Sequence, residues 1–319
     1  MLNIGFIGLG GMGRTQVGAF AQVEGCRLYA GADPSEGARD ELSRMRPEMK
    51  TFADHRAMLD DDGVDAVLVA TPTAYHPGPT IDALEAGRPV LVEKPMATTT
   101  EDCRAMIAAS QASGKVLMVA HCRRFDGIWG AWAELVKGGR IGFPVVWRRA
   151  TAAVMGGWFM DEEIGRGPML DGAVHDYDFA NSVFGDPQSV VASSTKLNPD
   201  VSAVDTATAV IHYAGGSQLV SSWTWARKGD GLFDLLGPAG SIVLRDRRYM
   251  LLDPEGNETE IETPDEVMAM YRYQASHFLA CARGEAECIS PGEEAIKAVA
   301  IGEAIIEVAP AGGMRAVTW

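Results

Sequence analysis

The sequence lacks the features that mark secreted, zinc-binding and membrane proteins. Its five cysteines are an odd number and include no C-x-x-C pair, so neither a disulfide framework nor a zinc site is indicated, and we predict no metal centre. The sequence has no apolar run as long as a membrane-spanning helix, and no basic leader precedes its first apolar residues. We therefore expect a cytoplasmic protein that does not enter a membrane.

Positive charge is also scarce. The chain has 28 lysine and arginine residues against 43 aspartate and glutamate residues, which gives a net charge of −15 at pH 7. This balance argues against nucleic acid or an anionic membrane as the main partner, although local basic residues could still bind an anionic substrate. The hydrophobic content of 47% is ordinary for a globular protein, and 319 residues suffice for two domains.

Strand and helix patterns alternate over the first 121 residues. Predicted buried strands lie at 2–7, 27–33, 66–70, 89–93 and 115–120, and predicted helices lie at 12–23, 35–45, 78–86 and 100–113. Such alternation predicts an α/β fold with a doubly wound parallel sheet and helices on both faces. We therefore predict that residues 1–121 form one doubly wound domain of the Rossmann type.

The pattern changes after residue 121. Predicted helices at 126–137 and 168–184 flank a strand at 143–152 and a loop rich in glycine and aromatic residues. Six short strand-like runs follow, at 188–196, 204–213, 217–226, 232–236, 240–245 and 248–252, and the last predicted helices are 265–283 and 292–308. We predict that residues 122–319 form an α+β domain with a largely antiparallel open sheet.

A glycine motif follows the first strand and opens the first helix. It fits G-x-G-x-x-G and consists of Gly8, Leu9, Gly10, Gly11, Met12 and Gly13. In this context Gly8 would form a tight turn, Gly10 would let the backbone approach a pyrophosphate, and Gly13 would let helix and strand pack closely. A mononucleotide or flavin site of the same shape is the alternative.

An acidic residue ends the second predicted strand. Asp33 lies 20 residues after Gly13, where a carboxylate can accept a hydrogen bond from the ribose 2′-hydroxyl and repels a 2′-phosphate. The sequence therefore favours NAD over NADP as the cofactor. Arg39 is close in sequence, and we expect it on a solvated helix face.

The apolar strand 90–92 ends in Glu93, Lys94 and Pro95. A buried strand has no structural use for a lysine at its exit, and proline stiffens the turn that carries it. Ligands of open α/β sheets bind at the carboxyl ends of the strands. We therefore predict that Lys94 contacts a ligand.

A second polar motif opens the predicted helix 168–184. Asp171, His175 and Asp178 are spaced i, i+4 and i+7, which places them on one helix face. A carboxylate one turn from an imidazole can orient it and stabilise its cation, which suits a general base. The alternative is a polar helix face that is simply solvated.

Together these motifs resemble the glucose–fructose oxidoreductase/inositol dehydrogenase/MocA family, and most closely its inositol and sugar dehydrogenase branch. The resemblance spans nearly the whole chain and includes the run 70–72 with His76 and the run 123–125. It implies that Lys94 polarises the reacting oxygen, that His175 accepts the hydroxyl proton, and that Asp171 orients the substrate or the imidazole. It also implies a cis peptide in the lysine–proline region.

The resemblance implies an NAD-dependent dehydrogenase that oxidises a secondary hydroxyl of a cyclic polyol or sugar. One alternative is a glycosidase that retains NAD and oxidises its substrate transiently. The other is a dinucleotide-sensing regulator, but the retention of Lys94, Asp171 and His175 counts against it. We expect a homodimer or homotetramer that assembles through the C-terminal sheet.

Further side chains are candidates with open alternatives. As cofactor-binding residues we predict, besides the glycine motif and Asp33, the residues Thr71, Pro72, His76, Glu93 and Lys94. His76 either lines the nicotinamide pocket or faces water. Substrate contacts are predicted for Lys94, Arg124, Trp158, Asp171 and His175.

Two of these substrate contacts, and a tryptophan pair, have competing explanations. Arg124 could instead form salt bridges, and Trp158 with Phe159 could be a packing plug rather than a stacking surface for a sugar. Trp223 and Trp225 share one face of a strand, and we expect that face to be a subunit interface.

Overall fold

The computed structural model describes residues 1–262 and 268–319. Its contacts divide the chain into two compact units. The first unit contains residues 1–122 and 268–296, and the second contains the described residues from 123 to 262 together with 297–319. Among residues 1–262 and 268–319, no helix is both long enough and apolar enough to cross a membrane.

The first unit is built on a parallel sheet. Its strands are β1 (Leu2–Ile7), β2 (Cys26–Ala32), β3 (Lys50–Phe52), β4 (Ala66–Val69), β5 (Val90–Val92) and β6 (Leu117–Val119). They lie in the order β3-β2-β1-β4-β5-β6, and every neighbouring pair runs parallel. Strands β2 and β3 lie on one side of β1, whereas β4, β5 and β6 lie on the other side, so the order of strand addition reverses between β1 and β4. The ligand crevice of a doubly wound fold lies at the carboxyl ends of the two strands at this point. The predicted Rossmann fold is confirmed.

Helices connect the parallel strands. They are α1 (Gly11–Phe20), α2 (Glu36–Met45), α3 (His55–Leu59), α4 (Pro77–Glu85) and α5 (Thr100–Ser113). Side chains cap the starts of α2, α3 and α5, where Ser35, Asp54 and Thr99 accept backbone N–H groups. The first helix differs, because Gly10 stands at its start and no described side chain caps it. Its first N–H groups are therefore left for another partner.

A mixed sheet of nine strands forms the second unit. The strands are β7 (Val146–Ala152), β8 (Pro187–Ser194), β9 (Thr206–Tyr213), β10 (Gln218–Thr224), β11 (Leu232–Gly237), β12 (Gly240–Arg245), β13 (Arg248–Leu252), β14 (Glu258–Glu260) and β15 (Gly313–Ala316). Their order is β14-β13-β12-β11-β7-β10-β9-β8-β15, with β7 and β10 parallel and the other pairs antiparallel. This arrangement confirms the predicted, largely antiparallel sheet.

One face of this sheet is covered by α6 (Gly127–Lys137) and α7 (Val174–Phe184). Aromatic rings fill the space between them, and Trp147 of β7 lies edge-on to both Trp129 and Phe179, with ring centroids 6.1 and 5.1 Å apart. Trp132 and Phe233 add a closer pair at 4.3 Å. These rings form the centre of the second core, since large aromatic side chains bury the most apolar area.

Trp223 and Trp225 belong to this covered face. Both are buried, with 9% and 5% of their surface exposed, and the Trp223 indole N–H donates to Asp176 of α7. The prediction that these two rings form a subunit interface is therefore wrong. Alternation along β10 correctly places both on one face, but it does not indicate which face the helices cover.

Residues 268–296 belong to the first unit, and the chain then re-enters the second unit at residue 297. Helix α8 (Ala269–Ala282) packs against α1, where Phe278 meets Phe20 edge-on at 6.3 Å. Arg283 donates to the carbonyl of Gly25 in the same unit. The assignment of all of 122–319 to the second domain is therefore corrected for residues 268–296. The first three residues of the predicted helix 265–283 lie outside the described residues.

Helix α9 (Gly292–Val308) follows, and its residues from Lys297 onward group with the second unit. Four short elements were not predicted, namely α3, β3, β14 and β15. The strands among them lie at or near sheet edges and are largely exposed, so they carry no run of apolar residues to mark them.

Candidate functional site

Two glycines let the turn after β1 pack tightly. Gly8 has a φ of +89°, and a Cβ on it would lie 2.6 Å from the backbone of Ala70. A Cβ on Gly13 would lie 2.0 Å from the carbonyl oxygen of Gly8. Neither position can carry a side chain without moving the backbone, so the close packing assigned to these glycines by the motif is present.

The other two glycines of the motif have the opposite surroundings. A Cβ built on Gly10 or Gly11 would meet nothing within 4 Å, so the backbone of the loop borders open space. The uncapped N–H groups of α1 begin at this point, and no acidic residue lies in its first turn. A helix start with these properties attracts anions, which is what a dinucleotide pyrophosphate requires.

Asp33 is fixed at the end of β2 by both of its carboxylate oxygens. Oδ2 accepts the N–H of Leu9 and Oδ1 accepts that of Ser35, each at 2.8 Å. Arg39 also folds onto this turn, because its Nη1 donates to the carbonyls of Asp33 at 2.7 Å and Pro34 at 3.0 Å. The expectation that Arg39 lies on a solvated helix face is therefore wrong.

A cavity of about 280 Å³ adjoins this turn within the first unit. Its walls include Gly8, Asp33, Pro34, His55 and Thr71. The glycine turn and the acidic residue thus line one concave space, as the predicted roles of Gly8 and Asp33 require. Pockets that bind cofactors are concave and combine apolar walls with a few polar groups.

His76 ties two loops together. Its side chain is 1% exposed, with Nδ1 at 2.9 Å from the carbonyl of Pro95 and Nε2 at 2.8 Å from that of Thr71. The alternative that this imidazole faces water is therefore wrong. Because Thr71 follows β4 and Pro95 follows β5, His76 joins the ends of two neighbouring strands.

A side chain of α1 binds the residue that directly follows β5. Gln16 Nε2 donates to Glu93 Oε1 at 2.6 Å, and both side chains are buried. The other carboxylate oxygen accepts the backbone N–H of Lys94 at 3.3 Å, and the bond from Lys94 to Pro95 is cis. Gln16 was not predicted from the sequence. The available signal was its position one helical turn after Gly13, in the helix that the glycine motif opens.

Asp171 and His175 do not share one continuous α-helix. Residues Pro168–Gly172 form a π-helical turn, in which Ala173 donates to the carbonyl of Pro168, and α7 begins only at Val174. Asp171 is 3% exposed and His175 is half-buried. The prediction of a single helix over 168–184 is corrected accordingly.

The π-helical turn is packed against Trp223 of β10 and against Trp225, which follows that strand. A Cβ on Gly172 would lie 2.7 Å from the ring of Trp223 and 2.8 Å from that of Trp225. The backbone between Asp171 and His175 therefore approaches two indole rings as closely as a glycine allows. This contact sets where the turn sits on the sheet.

Asp176 is buried directly behind the turn. Its carboxylate is 1% exposed and accepts the Trp223 indole N–H at 3.1 Å, with the Arg149 guanidinium 3.5 Å away. Burial raises the pKa of Asp176 to about 6, and Arg149 and Trp223 oppose that rise only in part. Asp176 therefore holds the start of α7 against β7 and β10.

Arg124 is paired with a second buried carboxylate of α7. Its Nε and Nη2 donate to the two oxygens of Asp178 at 2.9 and 2.6 Å, and Asp178 is 2% exposed. Two parallel hydrogen bonds make this a strongly oriented pair. The alternative that Arg124 forms a salt bridge is thus confirmed, although the bridge is to an interior residue of α7 rather than to the acidic surface.

The aromatic loop packs on itself. Trp158 and Phe159 stack with ring centroids 3.8 Å apart, and Phe159 lies edge-on to Trp225 at 6.1 Å. Phe159 packs against the second core, which supports the packing role for that ring, and Trp158 is half-buried. Among the described residues no cluster of histidine, cysteine and acidic side chains could hold a metal ion.

Comparison with known proteins identifies the family. Residues 2–121 match the model of the GFO/IDH/MocA oxidoreductases for their NAD-binding Rossmann fold, and residues 133–314 match the C-terminal α/β domain of the same family. The chain belongs to the GFO/IDH/MocA oxidoreductase family. The resemblance carried by the three motifs is confirmed, and the first unit contains its NAD-binding Rossmann domain.

Named relatives within this family act on polyols and sugars. The chain is 27% identical over 291 residues to scyllo-inositol 2-dehydrogenase (NAD(+)) of Bacillus subtilis strain 168, covering 87% of this chain and 85% of that protein. It is 30% identical over 278 residues to 1,5-anhydro-D-fructose reductase of Ensifer adhaerens, covering 82% and 83%. Levoglucosan dehydrogenase in complex with NADH and levoglucosan shares the fold, with a TM-score of 0.90, 22% identity and full coverage of both chains.

We expect Gly13→Ala to weaken NADH binding by at least about tenfold, or about 1.4 kcal/mol. The new methyl group would overlap the Gly8 carbonyl and push the glycine turn out of shape. Titration of NADH fluorescence measures the dissociation constant. Gly18→Ala on the same helix is the matched control, because a Cβ there meets nothing within 4 Å. Equal affinity in both variants would contradict the role given to the turn.

A second prediction concerns the pH dependence of stability. Because its pKa is raised, Asp176 favours folding most when protonated, below its unfolded pKa near 3.8, and this contribution is lost as pH rises through about 6. Relative to the parent protein, Asp176→Asn should therefore gain about 1.4 kcal/mol of unfolding free energy between pH 5 and pH 8. Urea unfolding followed by tryptophan fluorescence reports this, since all seven tryptophans lie in the second unit.

The control is a partly exposed acid in the same unit whose pKa is shifted the other way. Hydrogen bonds from Asn257 lower the pKa of Asp253, so its contribution to stability is already complete above an unfolded pKa near 3.8, and Asp253→Asn should stay level relative to the parent between pH 5 and pH 8. The same slope in both variants would show that the Asp176 effect does not come from its burial.

Proposed function

We propose that the protein is an NAD-dependent dehydrogenase that oxidises a secondary hydroxyl group of a cyclic polyol or sugar, as inositol dehydrogenases do. The observation that carries this proposal is the uncapped start of α1 beside open space, with the Asp33 carboxylate fixed next to it. The relatives named above are dehydrogenases and a reductase of such compounds, which supports the substrate class. They do not favour the glycosidase or the sensing regulator.

The cofactor would lie along the carboxyl ends of the first unit's strands. We assign it to the glycine turn and to the loops after β2, β4 and β5, with the contact residues Gly8, Gly10, Gly11, Met12, Gly13, Asp33, Thr71, Pro72, His76, Glu93 and Lys94. When bound, NAD accepts the hydride that leaves the carbinol carbon. The Asp33 carboxylate would accept the ribose 2′-hydroxyl, and its negative charge supports a preference for NAD over NADP.

Three side chains would act on the substrate hydroxyl. Lys94 would donate to the reacting oxygen and polarise it, His175 would accept the hydroxyl proton, and Asp171 would orient the substrate or the imidazole. A general base of this kind is expected to contribute about 10²–10⁴-fold to the rate. Support comes from the family motifs that carry these three residues.

The remaining substrate contacts are assigned to Arg124 and Trp158. Arg124 keeps a fixed direction through its two bonds to Asp178, so its planar guanidinium would be presented to a substrate hydroxyl in a constant orientation. Trp158 is half-buried and stacks on Phe159 through one face. Its other face would pack on the apolar side of a sugar ring.

The outer face of the nine-stranded sheet is the surface that we assign to subunit assembly. Four apolar side chains stand in one cross-strand row, since Met314 pairs with Val191, Val191 with Val210, and Val210 with Val220. Met314 and Val191 are 72% and 41% exposed. We propose a cytoplasmic homodimer or homotetramer in which this row is covered by a second copy.

Lys94→Met and His175→Ala should each lower turnover by about 10²-fold or more, while the dissociation constant for NADH stays within about threefold. Formation of NADH is followed by absorbance with a panel of inositols, anhydro-sugars and aldoses. Lys137→Met, at the exposed end of α6, is the matched control and should retain parent activity. Turnover near the parent rate in either active-site variant would refute the assigned roles.

Val210→Lys should convert the assembly into monomers, because an ammonium group would be placed in the middle of the apolar row. Light scattering coupled to size exclusion measures the mass. Ala112→Lys, on an exposed position of α5, introduces the same charge elsewhere and should leave the mass unchanged. If Val210→Lys keeps the mass of the parent protein, assembly does not use this row.

A further inference from the structure

Two cysteines meet at the end of α8 in the first unit. Cys281 lies in the last turn of the helix and is 3% exposed, whereas Cys288 is half-buried in the loop that follows. The two cysteines are close together, because the Cys281 sulfur and the backbone N–H of Ile289, the residue after Cys288, both lie 3.3 Å from Nε2 of His277. A side-chain hydrogen bond from Cys288 to Cys281 agrees with this placement. Two neighbouring reduced thiols, one of them partly exposed, are the starting arrangement for a disulfide.

An imidazole completes the cluster. His277 lies one helical turn before Cys281, and its Nε2 is 3.3 Å from the Cys281 sulfur. The backbone N–H of Ile289 donates to the same Nε2 at 3.3 Å, which means that this nitrogen carries no hydrogen and can accept the thiol proton. Burial lowers the pKa of His277 and raises that of Cys281, so at neutral pH the pair is a neutral imidazole and a thiol.

The loop that carries Cys288 is fixed at its far end. The carbonyl of Ser290 accepts the N–H of Val119 at 2.9 Å, and Pro291 forms a bridge with Met118 of β6. Cys288 is therefore held between the end of α8 and β6, the edge strand of the first unit's sheet, so it stays near Cys281. A bond to Cys281 would join the helix to that strand through a short covalent path.

We propose that Cys281 and Cys288 are a reversible redox pair that a hydroperoxide oxidises to an intramolecular disulfide. In the first step the Cys288 thiolate attacks the O–O bond of hydrogen peroxide, which gives a sulfenic acid and hydroxide. In the second step the Cys281 sulfur attacks the Cys288 sulfur and the S–O bond breaks, while His277 takes the Cys281 proton and passes it to the leaving oxygen, which departs as water. Overall, two thiols lose two electrons and two protons, and one peroxide becomes two waters.

The chain contains a contrasting thiol in the same unit. The sulfur of Cys26 lies 3.5 Å from the carbonyl oxygens of Phe20 and Val23, so its S–H donates to the backbone. This thiol serves as the internal reference for general oxidation by peroxide.

Peptide mapping tests the proposal directly on the full-length protein. Trypsin cuts after Arg272, Arg283 and Lys297, so Cys281 and Cys288 fall on separate peptides, 273–283 and 284–297. After exposure to hydrogen peroxide and alkylation of the remaining thiols, mass spectrometry should find these two peptides joined, two hydrogens lighter than their sum. Both free peptides should decrease in equal amounts, and dithiothreitol should restore them, while Cys26 remains alkylated.

Two variants separate the pair from other oxidation. Cys288→Ser should abolish the joined peptide and leave Cys281 alkylated, whereas Cys26→Ser should oxidise as the parent does. His277→Gln keeps an acceptor for Ile289 but removes the base, so disulfide formation should slow by about tenfold. An unchanged rate in this variant would overturn the role given to His277.

Other products of the oxidation would overturn the pair itself. The proposal fails if Cys288 proceeds to the sulfinic acid while Cys281 stays free. It also fails if the joined peptides come from a covalent dimer on a non-reducing gel rather than from a monomeric chain.

Discussion

The close approach of Gly13 to the Gly8 carbonyl is the contact on which the first unit's arrangement depends. It lets α1 start directly against the residues that follow β1 and β4, which sets the position of the helix relative to these two strands. In this position Gln16 donates a hydrogen bond to Glu93, and the Leu9 N–H donates to Asp33. One steric constraint thus positions both the loop that faces a phosphate and the strand exit that carries Lys94.

The second unit has a comparable contact at Gly172. Two indole rings occupy the space that a side chain would take, and the π-helical turn adds one residue to the helix at that point. The turn shifts Asp171 relative to His175 compared with a regular α-helix. The rings also supply the N–H that binds Asp176, so the same two tryptophans shape the turn and hold the helix that follows it.

Elements with a strong local signal could be predicted from the sequence. The glycine motif, the strand before Glu93 and the alternation of strand and helix depend on nearest neighbours along the chain, and each is present. The face on which Trp223 and Trp225 lie could not be predicted, because period-2 alternation is the same for a covered and an open face. The return of 268–296 to the first unit depends on contacts such as Phe20 with Phe278, which are 258 positions apart and leave no local pattern.

Buried polar groups were the hardest residues to interpret from the sequence. Within each unit they hold the candidate site residues in place. A buried carboxylate or imidazole costs free energy unless its partners are supplied, and three such groups near the candidate site residues have them. Gln16 meets Glu93, Arg124 meets Asp178, and the carbonyls of Thr71 and Pro95 meet His76. None of these partners is adjacent in sequence, so each pairing follows only from the completed fold. Because removing one partner would leave the other buried and unsatisfied, each of these directional pairings fixes the orientation of the residues that it joins.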